Sequence, residues 1–110
     1  MNSVVNSDDM IISNDSDIDT ASRALKAMAH PLRLKILCIL GAHDEVSVQE
    51  LVESVGTSQS NISQHLSILR DKNILISRKD ANKVFYRLGE QSILHLIEAM
   101  QAAFCSKDIN

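Results

Sequence analysis

The stretch that decides the fold of this chain is Val46 to Arg70, VSVQELVESVGTSQSNISQHLSILR. Its first half predicts a helix, because Ser47 and Glu50 have the spacing of a capping box and apolar residues then recur at i, i+3, i+4 and i+7. Gly56 is typical of the left-handed residue that ends such a helix, and residues 57–58 offer a Thr or a Ser to cap the next one. Two helices joined by so short a turn predict a helix-turn-helix.

The second helix of this pair has two different faces. Ile62, Leu66 and Leu69 form an apolar stripe, whereas the opposite side carries hydroxyls and amides where Lys and Glu are usual. Such groups exchange hydrogen bonds with base edges and phosphates, which predicts a helix that lies in the major groove of DNA. The DNA contacts that we expect here are Ser58, Gln59, Ser60, Ser63, Gln64 and His65. The alternative is a scaffolding helix, because helix-turn-helix patterns also give false positives.

A basic β-hairpin is predicted directly after this helix. Residues 74–76 and 84–88 are β-prone, and residues 80–82 form the turn between them. The basic residues that we expect to contact the DNA backbone from this hairpin are Arg78, Lys79 and Lys83. A basic hairpin beside a recognition helix is a wing that reaches phosphates or the minor groove. The alternative is an edge strand that its charges protect from aggregation.

Three motifs occur in a specific order along the chain. They are AMAHPLRL at residues 27–34, SQSNISQHL at 58–66 followed by Leu69-Arg70, and VFYRL at 84–88. Together they resemble the ArsR/SmtB family of bacterial winged-helix repressors, and the resemblance covers about residues 20–105. It implies a mainly α fold with a β-hairpin wing, a winged helix-turn-helix in which four helices precede the hairpin and one follows it.

Length and composition limit the chain to one domain with a modest core. Of its 110 residues, 45% are hydrophobic and only 3% aromatic, which indicates an aliphatic, mostly helical interior. No apolar run approaches the roughly 18 residues of a membrane span, and no signal segment opens the chain. We therefore expect a cytoplasmic protein without membrane partners.

The formal net charge of −3 is unevenly distributed along the chain. Residues 1–19 contribute −5, whereas the rest of the chain carries +2, which suits DNA binding. We expect a disordered acidic tail at residues 1–16, a DNA-binding and dimerisation domain at 17–105, and a C-terminal tail at 106–110.

The first and last predicted helices carry more apolar surface than a small domain easily buries. Their stripes are Ile18, Ala21, Leu25 and Met28, and Ile93, Leu96, Ile97, Met100 and Phe104. The resemblance implies a homodimer built mainly from these two helices, which presents both recognition helices to a pseudo-palindromic double-stranded operator. The alternative is that the stripes pack only on the protein's own core.

Metal sensing is one form of regulation that the resemblance implies. Metal-sensing relatives place Cys-x-Cys in the first helix of the pair, but residues 48–52 contain no thiol. The ligand positions expected on the last helix correspond to Glu90, Ser92, Ala103 and Ser106. Only Glu90 among them could bind a metal, and His95 with Glu98 at i, i+3 would make a weak site. We assign no metal and no cofactor, and a metal-responsive repressor stays as the nearest alternative.

The two cysteines suggest a different signal. Cys38 lies in the second predicted helix and Cys105 at the end of the last, and a permanent disulfide is not expected in a reducing cytoplasm. This placement resembles the BigR/SqrR/HlyU-type branch of the family. The resemblance implies a redox-sensing pair that reactive sulfur species bridge, so that the repressor leaves DNA. The alternatives are structural thiols, with Cys38 buried as a small hydrophobe, and partial metal ligation.

Two other classes of function remain to be weighed. A thiol oxidoreductase would need a Cys-x-x-Cys pair on a βαβ scaffold, and neither is present, so we do not expect an enzyme. A winged-helix adaptor that binds protein is harder to exclude. The absence of salt-sensitive association with any duplex would favour the adaptor.

Overall fold

The computed structural model describes residue 6 and residues 9–105 of the chain. Its elements are α1 (Asp15–Met28), α2 (Pro31–Ala42), β1 (Val46–Ser47), α3 (Val48–Val55), α4 (Gln59–Asp71), β2 (Leu75–Asp80), β3 (Lys83–Leu88) and α5 (Gln91–Phe104). The predicted winged helix-turn-helix, mainly helical with an antiparallel hairpin, is confirmed. Within these residues, no helix is long and apolar enough to cross a membrane.

Helix α1 begins earlier than the domain boundary that we expected. The Asn14 side chain accepts hydrogen bonds from the backbone N–H groups of Ser16 (2.8 Å) and Asp17 (3.3 Å), and this cap starts the helix at Asp15. The composition of this segment does not separate the two cases, because Asn, Ser and Asp are common both in disordered tails and at helix caps. Residues 1–5 and 7–8 of the expected N-terminal tail, and the whole expected C-terminal tail at 106–110, lie outside the described residues.

Helices α3 and α4 form the predicted helix-turn-helix. The Ser47 hydroxyl accepts a hydrogen bond from the Glu50 N–H (3.1 Å), and the Glu50 carboxylate accepts one from the Ser47 N–H (2.9 Å), so the capping box is complete. Gly56 ends α3 with φ 81°, where a side chain would be strained. Of the two candidate caps for α4, Ser58 is the one used, and its hydroxyl accepts from the Asn61 N–H at 3.1 Å.

The wing is part of a three-stranded antiparallel sheet in the order β1-β3-β2. The register of the hairpin runs from Leu75 opposite Leu88 to Asp80 opposite Lys83. Strand β1, which pairs with the other edge of β3, was not predicted because two residues are too short to show a period. The sheet therefore connects the wing to the start of α3.

The core anchors α4 along its whole apolar stripe. The large side chains that are fully buried are Ile36, Leu37, Leu40, Leu51, Ile62, Leu66, Leu69, Ile74 and Leu75. They come from α2, α3, α4, the start of β2 and the residue before it, so these elements form one packed unit. Because α4 contributes three of them, packing fixes the direction of its opposite, polar face.

Candidate DNA-binding face and thiol groove

The polar face of α4 borders a shallow surface depression. The residues that line it are Gln59, Ser60, Ser63, Gln64, Ser67 and Ile68. Gln59, Ser60 and Gln64 are exposed, and Ser63 is half-buried. Across the described ranges, these four side chains make no hydrogen bond to other residues, so their donors and acceptors can serve an external partner. Ser58 directly precedes the first residue of α4, but its hydroxyl is used as the N-terminal cap of the helix.

A second depression, of about 380 Å³, joins α4 to the wing. It is lined by Gln59 and Ser63 of α4, Gln49 of α3, and Asn82 and Lys83 of the hairpin. Helix α4 and the tip of the wing therefore lie on the same side of the molecule. A single duplex could contact both at the same time.

The three basic residues predicted on the wing differ in their surroundings. Lys79 and Lys83 are exposed, and neither forms an ion pair with a described residue. Arg78 instead pairs with Glu45 through two hydrogen bonds of 2.7 Å, and its guanidinium carbon lies 4.6 Å from the centre of the Phe85 ring. The hydrogen bonds between the two side chains lower the pKa of Glu45 and raise that of Arg78. Because Glu45 already matches its charge, Arg78 could contact a phosphate only if this ion pair opened.

His65 faces α2 instead of the depression. Its Nδ1 accepts a hydrogen bond from Arg33 Nε at 3.1 Å, and its ring centre lies 4.6 Å from that of His30. Arg33 also donates from Nη1 to the backbone oxygen of Ala27 at 3.0 Å, so it ties the end of α1 to α4. Burial, with the positive groups of His30 and Arg33, lowers the pKa of His65. The expected DNA contact of His65 is corrected, because position 65 lies at the edge of the buried stripe and the ring turns inward.

The two cysteines lie on a single groove between α2 and α5. The groove has a volume of about 460 Å³, and both Cys38 of α2 and Cys105, directly after α5, line it. Both thiols are free and exposed. A Cβ built on Gly41 would lie 3.7 Å from side-chain atoms of Leu94 and Ile97, so the two helices pack closely beside the groove. Because Cys38 is exposed, the alternative that it is buried as a small hydrophobe is wrong.

Helices α1 and α5 leave apolar side chains on the protein surface. Ile18 and Leu25 of α1 are exposed, as are Leu96 and Phe104 of α5, the last with an exposed fraction of 85%. Met28 and Ile97 from the same stripes are buried. A single protomer thus covers only part of each stripe, and the remainder is available to another apolar surface.

Comparisons with known proteins agree with this architecture. The family model described as "Bacterial regulatory protein, arsR family" matches residues 30–77. The biofilm growth-associated repressor of Agrobacterium fabrum is 43% identical over 86 residues, which cover 78% of this chain and 73% of that protein. The chain belongs to the arsR family of bacterial regulatory proteins.

Two solved structures are similar to this arsR-family protein over most of its length. Reduced HlyU from Vibrio cholerae has a TM-score of 0.76 and 39% identity, with 84% of this chain and 96% of that chain covered. The transcriptional repressor BigR from Xylella fastidiosa has a TM-score of 0.76 and 33% identity, with 84% and 94% covered. These relatives are transcriptional regulators, so the protein is a regulator and not an enzyme.

The residues considered for metal binding are dispersed in this arsR-family protein. His95 and Glu98 are exposed on α5, and the Glu90 carboxylate accepts a hydrogen bond from the Ser92 hydroxyl at 3.0 Å. No group of three or more His, Cys, Asp or Glu side chains with metal-site spacing occurs within residues 9–105. Ser106 lies outside the described residues.

Sequence reasoning missed two residues that arrange the DNA-binding face. Arg33 lies inside the motif at residues 27–34, but nothing in that motif indicates that its side chain reaches His65. Glu45 lies in the loop before β1 and neutralises Arg78, which is 33 residues away along the chain. Long-range side-chain contacts of this kind have no local sequence signal.

Proposed function

We propose that this protein is a dimeric, DNA-binding transcriptional repressor that leaves its operator when Cys38 and Cys105 react with a persulfide or polysulfide. The observation that carries this proposal is that two free, exposed thiols, far apart in sequence, share one groove. The related HlyU structure is described as the reduced form, and reduced thiols are the state in which we expect this chain to bind DNA.

Operator recognition is assigned to the exposed polar face of α4. Ser60, Ser63 and Gln64 would exchange hydrogen bonds with base edges, and an amide can pair with adenine through two bonds. Ser58 and Gln59, at the helix N-terminus, would lie close to a phosphate. Lys79 and Lys83 would contact the backbone from the wing, since their charges are not matched within the described residues. Arg78 and His65 would support these elements without touching DNA.

Dimerisation is assigned to the exposed apolar residues of α1 and α5. Burial of apolar surface favours association by roughly 25 cal/mol per Å² before the costs of ordering are subtracted. A two-fold pair presents two copies of α4, which matches an operator with two half-sites. Residues 1–14, before α1, contain no basic residue, so we assign no phosphate contact to them.

The proposed switch follows from thiol chemistry. The thiolate of one cysteine attacks the outer sulfur of a persulfide R–S–SH, which breaks the S–S bond, forms a cysteine persulfide and releases RSH. The second thiolate then attacks the Sγ atom of that cysteine persulfide, which yields a disulfide and releases hydrogen sulfide. If both cysteines first become persulfides, the same displacement yields a trisulfide. A longer sulfur chain relaxes the Cα separation of about 7 Å that a direct disulfide tolerates.

Bridging would couple the groove to DNA binding through α2 and α5. A covalent link fixes the end of α5 against α2, and α5 also carries part of the proposed dimer surface. A change in the position of α5 would therefore alter the spacing of the two α4 helices. Couplings of about 1–3 kcal/mol are usual for regulation of this type, which corresponds to roughly 5- to 150-fold in operator affinity.

The test is a titration of the reduced and the persulfide-treated protein with operator DNA, followed by fluorescence anisotropy. We expect treatment to weaken binding at least about fivefold and mass spectrometry of the intact protein to detect the bridge. Cys38→Ser and Cys105→Ser should bind as the reduced parent does and should not respond. Ser54→Ala, on the exposed end of α3, is the matched control and should respond fully.

The outcomes separate the parts of this proposal. Equal affinity before and after treatment would remove the thiol switch and leave DNA binding intact. A response that persists in both Ser variants would have the same consequence. Release by zinc from the reduced protein, without any bridge, would favour the metal-responsive alternative. Absence of salt-sensitive binding to any duplex would instead favour the protein-binding adaptor.

A further inference from the structure

We infer that the groove between α2 and α5 selects uncharged, apolar sulfur donors, and that Glu98 disfavours donors with negative charge. This inference rests on the proposed thiol switch and names the chemical class that the same site would accept. Donors of this class include alkyl polysulfides and elemental sulfur, whereas glutathione persulfide carries carboxylates.

The lining of the groove is mainly apolar. Beside the two thiols it consists of Leu34, Gly41, Ala42, Leu94, Ile97, Met100 and Phe104, with the polar residues Glu98 and Gln101. An alkyl group that enters such a groove leaves water at a gain, whereas a carboxylate loses hydration that few polar groups replace. The lining therefore discriminates among donors that carry the same reactive sulfur chain.

Glu98 adds an electrostatic element to this selection. It is the one charged residue among the described residues that line the groove. Glu98 lies seven residues, close to two helical turns, before Cys105, which directly follows α5, so the two positions are roughly 10 Å apart along the helix axis and line the same groove. A donor bound between the two thiols would place its substituents nearer to the Glu98 carboxylate than Cys105 is. At about 10 Å in water and at low salt, repulsion between two carboxylates changes a rate roughly twofold, and the effect grows for substituents that come closer.

The reaction with a neutral donor balances without a further oxidant. The first thiolate attacks the central sulfur of a trisulfide R–S–S–S–R, breaks one S–S bond and releases RSH after protonation. The second thiolate attacks the same central sulfur, breaks the remaining bond to the donor and releases a second RSH. The product is a trisulfide bridge between Cys38 and Cys105. Only the R groups differ between donors, so they report on the groove.

The experiment compares three trisulfides with the full-length reduced protein. They are diethyl trisulfide, bis(2-aminoethyl) trisulfide and bis(2-carboxyethyl) trisulfide, which carry no, positive and negative charge. Bridge formation is followed by mass spectrometry, and each rate is divided by the rate of the same donor with N-acetylcysteine amide. We expect the diethyl compound to react at least about tenfold faster than the dicarboxylate, with the diamine between them.

Two matched variants isolate the role of the carboxylate. Glu98→Gln should raise the normalised rate of the dicarboxylate about twofold at low salt and leave that of the diethyl compound unchanged. Glu53→Gln removes an exposed carboxylate of α3 that does not line the groove, and it should change neither rate. The increase seen with Glu98→Gln should diminish as salt is added.

The possible outcomes distinguish this inference from the proposed function. Equal normalised rates for all three donors would overturn the selectivity and leave the switch in place. An unchanged dicarboxylate rate in Glu98→Gln would overturn the role of Glu98. Failure of every trisulfide to form a bridge would overturn the selectivity, and failure of the persulfide as well would overturn the switch itself.

Discussion

Helices α4 and α5 are almost equal in length, with 13 and 14 residues, but they bury their apolar residues differently. Ile62, Leu66 and Leu69 of α4 are completely buried, and the rest of its surface is mostly polar. Helix α5 buries only Ile97 and exposes Phe104. The protomer thus completes the packing of α4 by itself, whereas α5 leaves apolar surface exposed, which the proposed dimer and the thiol groove would use.

The largest expected effect is on the stability of the protomer, and it distinguishes the buried face of α4 from the exposed face of α5. Leu66 is 0% exposed and Leu96 is 36% exposed. Leu66→Ala should lower the free energy of unfolding by about 2–5 kcal/mol, because it leaves a cavity in the core. Leu96→Ala should cost less than about 1 kcal/mol per protomer and should instead weaken dimerisation.

Urea denaturation at several protein concentrations and sedimentation equilibrium measure these two quantities. Equal losses of protomer stability in both variants would contradict the contrast between the helices. A Leu96→Ala protein that dimerises as the parent does would remove α5 from the proposed interface.

The next largest expected effect is on operator binding, and it concerns the polar face of α4. Gln64→Ala should weaken operator binding by about 1–3 kcal/mol and change the preferred base at one position of each half-site. Gln91→Ala removes the same side chain from the start of α5 and should bind as the parent does. Competition with single-base operator variants measures the preference. Unaltered discrimination by Gln64→Ala would show that another surface reads the sequence.

A smaller expected effect, on the salt dependence of DNA binding, distinguishes Lys79 from Arg78 on the wing. Lys79→Ala should weaken binding to all duplexes alike and reduce the slope of log affinity against log salt by about 1. Arg78→Ala should reduce this slope less, because Glu45 already matches the charge of Arg78. Binding isotherms at several salt concentrations give both slopes. A larger slope change in Arg78→Ala than in Lys79→Ala would mean that the ion pair opens on DNA.

The smallest expected effect is a pH dependence of stability, which comes from His65 on the inward side of α4. The pKa of His65 is lowered in the folded protein, so the unfolded chain, with an ordinary value of 6.5, binds a proton first as the pH falls. His65 therefore contributes stability above about pH 6.5 that is lost as the pH falls below that value. Thermal melts from about pH 8 to about pH 5.5 should show a steeper decline for the parent than for His65→Gln. Parallel declines would contradict this assignment.

Local sequence signals were sufficient for the helix-turn-helix. The capping box, Gly56 and the spacing of Ile62, Leu66 and Leu69 each act within a few residues, and the structure contains all of them. The orientation of His65 was not predictable in the same way. Its position at the edge of the stripe allows either direction, and the choice depends on Arg33.

The sequence by itself determined the order of the five helices and the hairpin, the polar face of α4 and the basic composition of the wing, because periodicity, caps and turn residues are local properties of the chain. Only the tertiary structure decided that Glu45 neutralises Arg78, that Arg33 turns His65 inward, and that Cys38 and Cys105 line one groove. These relations join residues that packing brings together across the fold, and no local pattern encodes such distances.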